Sequence, residues 1–99
     1  MKTDERLYIV TYDIGDDKRW RRVFRILNGQ GEWLQLSVFQ CRLTRARALE
    51  LQARLMDAIS AADDHVMLID VGPADGVKPR VQSIGKRAYA PVERAPVIV

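Results

Sequence analysis

One cysteine, Cys41, and one histidine, His65, are too few to build a disulfide framework or a cysteine-rich zinc site. The apolar runs are short, and none approaches the roughly 20 residues a helix needs to cross a bilayer. Neither a glycine-rich phosphate loop nor a nucleophile elbow occurs, which removes the chemistries that depend on them. Met1 to Arg6 is charged, and the apolar run after it is interrupted by Thr11 and Asp13. Nothing there reads as a signal peptide, so a cytoplasmic protein with no membrane contact is expected. What is present is a chain of 99 residues, 47% apolar, which suffices for one packed domain and is too apolar for disorder. A domain this small is often completed by association. The net charge of +3 is mildly basic, so the placement of the cations matters more than their number.

Leu7 to Tyr12 is a β-rich apolar run bounded by Asp13 and Gly15 and reads as a central strand. Asp16 or Asp17 caps the helix that follows, which runs to about Leu27 and ends at Asn28 and Gly29. Trp20, Val23, Phe24 and Leu27 form its apolar stripe, and Lys18, Arg21, Arg22 and Arg25 occupy the opposite face. Glu32 to Leu43 is β-like, either one bent strand or two short ones, with Ser37, Phe39, Cys41 and Leu43 on one face. Thr44 caps a second helix reaching about Ala62, with Leu51, Leu55, Ala58, Ile59 and Ala62 inward. Val66 to Val71 is another strand, a loop over 72–76 follows, and Val81 to Ile84 is expected as a final short strand. This order predicts an α+β, ferredoxin-like βαββαβ sandwich with an extra short C-terminal strand. The domain is expected over residues 1–86, with 87–99 a tail positioned to pair with a partner chain. Both helices would cover one sheet face, and a second copy of the chain is the usual cover for the other.

Asp13 is the first candidate for chemistry, because it closes a central strand beside Gly15. An aspartate there is more often a turn or cap residue, and one carboxylate is a poor magnesium site. A two-fold axis near the strand end would change the count, since two copies of Asp13 could share one cation whose remaining positions water fills. The cationic helix face, Lys18, Arg19, Arg21, Arg22 and Arg25, is the second candidate, spaced to follow a phosphate backbone. Arg45 and Arg47 stand at the start of the second helix, where the dipole disfavours them. Phe39 suits packing or base stacking. His65 has no cysteine or second histidine beside it in the sequence and is not expected to be catalytic.

Tyr12-Asp13-Ile14-Gly15-Asp16-Asp17-Lys18-Arg19 resembles the N-terminal signature of the CRISPR adaptation family called "Cas two". The similarity continues through Arg22-Val23, Gly31, Gln35, Ser37-Val38-Phe39, Cys41-Arg42-Leu43-Thr44, Val81 and Ile84-Gly85, in order and over nearly the whole chain. The resemblance implies a ferredoxin-like homodimer that partners the CRISPR integrase in acquiring spacers and holds duplex DNA. It also implies an endonuclease using magnesium, with manganese as the alternative, on duplex DNA or single-stranded RNA. By position, Asp13 matches the metal-binding aspartate, and Tyr12, Arg22 and Phe39 match residues tied to activity or substrate contact. Trp20 and Trp33 stand where relatives carry basic residues. The alternative is a non-catalytic scaffold bridging integrase dimers on duplex DNA. A small-ligand regulatory domain and a toxin-type ribonuclease share the fold.

Overall fold

The computed structural model describes residues 4–75 and 82–85. Strand β1 (Arg6–Asp13) is a continuous β-rich run, with Tyr8, Val10 and Tyr12 buried beneath the helices. Helix α1 (Asp17–Asn28) is capped by Asp16, whose carboxylate accepts the backbone N–H of Arg19 at 2.9 Å. Its last turn is closed by the N–H groups of Gly29, Gln30 and Gly31, which donate to the carbonyls of Arg25 and Leu27. The 32–43 stretch forms two strands, β2 (Glu32–Gln35) and β3 (Val38–Leu43), joined by a tight turn. Leu36 takes a left-handed conformation in that turn, φ 34°, which an L side chain rarely adopts. The Trp33 indole holds it there by donating to the Leu36 carbonyl at 3.0 Å.

Helix α2 (Arg45–Ala58) begins at Thr44, whose hydroxyl accepts from the Arg47 N–H. It ends at Ala58, not near Ala62 as the apolar spacing predicts. The Asp64 carboxylate takes the Ser60 N–H at 2.8 Å, and Ser60 and Asp63 close a turn of their own. The helix ladder is thereby broken, and Ala62 is exposed. Strand β4 (His65–Pro73) is longer than expected and runs on into the predicted loop. The short strand expected over Val81–Ile84 is not formed at residues 82–84, and Ile84 is exposed. Val81 and the tail over 87–99 lie outside the described residues.

The sheet order is β2-β3-β1-β4 with every neighbour antiparallel, which is the ferredoxin-like arrangement. One face carries the core: Tyr8, Val10, Tyr12, Phe39, Cys41 and Leu43 meet Val23 and Leu27 of α1 and Ala48, Leu51, Leu55 and Ala58 of α2. Gly31 is required where α1 meets the sheet, because a Cβ there would collide with the Gln40 carbonyl and the Cys41 sulfur. Among the described residues no helix covers the opposite face. Met67, Ile69 and Val71 of β4 lie on that side and are 45%, 44% and 53% exposed.

Candidate functional site

Asp13 closes β1 and is exposed. Among the described residues its side chain makes no hydrogen bond or ion pair, so its carboxylate is available to an external cation or donor. Its antiparallel partner in the sheet is His65, the exposed first residue of β4. Cross-strand partners place their side chains on the same face with Cβ atoms about 4.5–5.5 Å apart. Nothing in the residue order joins these two, because register is a property of the sheet. Within the described residues no group of three or more His, Cys, Asp or Glu side chains could hold a metal ion. A carboxylate fits a water-rich divalent cation such as magnesium, which takes oxygen ligands and keeps several of its waters. Asp13 therefore fits the cation that the resemblance implies, most fully if a second copy adds its own carboxylate.

The loop behind Asp13 is fastened by Asp64, a residue that no sequence motif marks. Its side chain is 0% exposed. It accepts the Gly15 N–H at 3.1 Å, the Ser60 N–H at 2.8 Å, and the Arg19 guanidinium at 2.7 Å from Nε and 3.3 Å from Nη2. These bonds, the one from Arg19 first, hold its carboxyl far below the ordinary carboxylate range. A depressed folded-state value stabilises the fold above the unfolded value of about 3.9 and fades as pH falls through the folded one. Asp64→Asn should therefore lower the melting temperature at pH 7 by roughly 5–10 °C. The gap between variant and wild type should close as the pH drops below about 4. Circular-dichroism melts across pH 2–7 would measure it, and a gap independent of pH would exclude the latch as its source.

Arg19, expected among the phosphate-contacting cations, pairs with Asp64, and Asp16 lies 4.0 Å away. Lys18, Arg21, Arg22 and Arg25 are exposed along the outer side of α1, and none forms an ion pair among the described residues. The rings of Tyr12 and Phe39, expected among the substrate contacts, are both buried in this chain, Phe39 completely. They belong to an aromatic stack in which Phe39 lies 5.4 Å from Phe24 and 6.3 Å from Tyr12, centroid to centroid. Trp20 stacks on Phe24 at 5.3 Å, and Trp33 meets Phe24 edge-on at 6.5 Å. The two tryptophans thus extend the aromatic layer between α1 and β2, with Trp33 39% exposed at the sheet edge.

Burial pushes the ionisation of the Tyr12 hydroxyl up, and Ser37 opposes this without a hydrogen bond of good geometry. An unsatisfied buried hydroxyl costs about 1–3 kcal/mol. Tyr12→Phe should accordingly be neutral or stabilising by up to about 1 kcal/mol in a urea melt, with nucleic-acid binding unchanged. A loss of binding in a variant of undiminished stability would restore Tyr12 to the interface.

The family model for "CRISPR associated protein Cas2" matches residues 6–76. A Geobacter sulfurreducens protein named CRISPR-associated endoribonuclease Cas2 is 53% identical over 95 residues, covering 96% of this chain and 99% of that one. A Rhodospirillum rubrum protein, CRISPR-associated endoribonuclease Cas2 1, is 46% identical over 95 residues, covering 96% of this chain and 92% of that one. Among solved structures, Streptococcus pyogenes Cas2 superposes with a TM-score of 0.69 at 28% identity, covering 80% of this chain and 99% of that one. A hypothetical protein from Thermus thermophilus gives the same TM-score, 0.69, at 32% identity, over 83% of this chain and 93% of that one. With matching motifs, matching topology and a family model spanning every element from β1 to β4, the chain belongs to the CRISPR-associated Cas2 family.

Proposed function

We propose that this protein acts in CRISPR spacer acquisition as a two-fold homodimer that binds nucleic acid and cleaves phosphodiesters with a divalent cation. The observation that carries the proposal is the exposed Asp13 carboxylate at the end of β1, beside a helix whose outer side holds four cations with no partner among the described residues. The names of the relatives, endoribonuclease for both, support the nuclease half.

The sheet face that no described helix covers supports the dimer. Met67, Ile69 and Val71 leave an apolar strip that a second copy covers with its own, an isologous contact. Asp13 and His65 lie at one end of that same face, so the two copies bring their carboxylates to a shared border. When bound there, magnesium supplies Lewis-acid stabilisation and an activated water. Asp13 orients the cation, and Asp64 fixes the loop that follows Asp13. Lys18, Arg21, Arg22 and Arg25 hold the phosphates of the flanking strand. Duplex DNA and single-stranded RNA both present that backbone, and the CRISPR integrase is the protein partner. A scaffold that bridges integrase dimers on duplex DNA is the second reading. It is favoured by the single carboxylate per chain, which makes catalysis depend wholly on the second copy.

The triple reversal K18E/R22E/R25E tests the nucleic-acid surface. Binding to duplex DNA should weaken, and the slope of log affinity against log salt should fall by about 2–3 per protomer, near 0.9 for each phosphate no longer neutralised. Unchanged affinity and slope, measured by fluorescence anisotropy between low and moderate salt, would remove α1 from the interface. Co-purification of the wild-type protein with an integrase and duplex DNA tests the partner.

A further inference from the structure

We infer that His65 is a second protein donor to the divalent cation held by Asp13, and that it turns the site toward borderline cations such as manganese and cobalt. The inference rests on the cation-binding part of the proposed function and is independent of cleavage. Its basis is the sheet. Asp13 is the last residue of β1 and His65 the first of β4, and they are direct antiparallel partners. Both are exposed, and neither side chain makes a hydrogen bond or ion pair among the described residues. An imidazole and a carboxylate on one face at neighbouring strand positions are complementary ligand types, and among the described residues no cation pairs with the acid.

The backbone around both donors is fixed by one device. Asp64 immediately precedes His65, and its buried carboxylate grips Gly15, two residues beyond Asp13, together with Arg19 and Ser60. The two donors are thus set on strand ends tied together through one side chain, the kind of rigid support a ligand pair requires. Magnesium takes oxygen ligands and gains little from an imidazole, whereas the first-row divalent cations bind it well. An Asp13–His65 pair, completed by water and by the twin pair of a dimer, therefore discriminates among cations in a way that aspartates alone would not.

His65 is the only histidine of the chain, so in tag-free protein its imidazole resonances have no competitor. Cobalt is the probe. A bond to Co2+ adds through-bond contact shifts to the imidazole signals, far larger than the pseudocontact shifts that proximity alone gives. The wild-type protein should show these signals, and both His65→Asn and Asp13→Asn should lose them. Calorimetric affinity for Co2+ and Mn2+ should fall roughly tenfold or more in His65→Asn, about 1.4 kcal/mol or more, with the weaker Mg2+ affinity unchanged. If the cations bind in an Asp13-dependent manner while the histidine signals stay unshifted and His65→Asn binds normally, the histidine is no ligand and the cation reading stands. If no cation binding depends on Asp13, the inference and the catalytic half of the proposed function fall together.

Discussion

Phe39→Ala is expected to leave the protein largely unfolded. Phe39 is the second residue of β3, paired with Val10 on one side and Trp33 on the other, and is 0% exposed. Its ring packs on those of Phe24 and Tyr12, so truncation opens a cavity between the sheet and α1. Such a change costs about 3–5 kcal/mol, against a total near the lower end of about 5–15 kcal/mol for a domain of this size. A urea titration followed by circular dichroism should show the transition collapsing toward zero denaturant. Phe39→Leu keeps most of the volume and should remain folded, at a cost under about 2 kcal/mol. The leucine variant separates packing from substrate contact at this position. With packing as the role, Phe39→Leu binds nucleic acid as the wild type does. A folded Phe39→Leu protein with weakened binding would mean that the ring reaches the substrate in some other state of the protein.

The sequence and the structure agree where the signal is local. The β-rich apolar run of β1, the cap at Asp16 and the apolar stripe of α1 are each written within a few residues, and the elements they specify form as expected. The β2–β3 turn is illegible in the sequence because it contains no glycine or asparagine. Leu36 is held in its left-handed conformation by an indole three residues earlier, and propensity carries no trace of that. The end of α2 departs from expectation for a related reason. The residues after Ala58 keep the apolar spacing, but the Asp64 side chain captures the Ser60 N–H and ends the helix. At the site, Asp13 is legible from its place at a strand end, and four of the five proposed α1 cations from helical spacing. Arg19 looks like its neighbours in the sequence, and only a partner 45 residues away turns it inward. His65 is silent in the sequence because its significance lies wholly in the register of β4 against β1.

Asp13→Asn is expected to remove cation-dependent cleavage while leaving the fold and the dimer intact. The side chain is exposed and makes no bond within the described chain, so no packing or hydrogen-bond energy disappears with its charge. What disappears is the anionic oxygen that holds the cation. Metal-derived stabilisation of a phosphodiester transition state is worth several kcal/mol. At tenfold per about 1.4 kcal/mol, the loss corresponds to a fall of roughly 10²–10³ in single-turnover rate. Binding should move the other way. Removing a negative charge beside Lys18, Arg21, Arg22 and Arg25 lowers repulsion toward phosphate, so affinity for duplex DNA measured in chelator should hold or rise slightly. This opposition of signs distinguishes a catalytic carboxylate from a structural one, whose loss would lower melting temperature, binding and rate together. Single-turnover cleavage of RNA and duplex DNA with Mg2+ and with Mn2+, beside anisotropy and melting curves on the same preparations, provides all three readouts. Cleavage at the wild-type rate by the variant would assign the activity to another centre and leave the scaffold reading as the account of this fold.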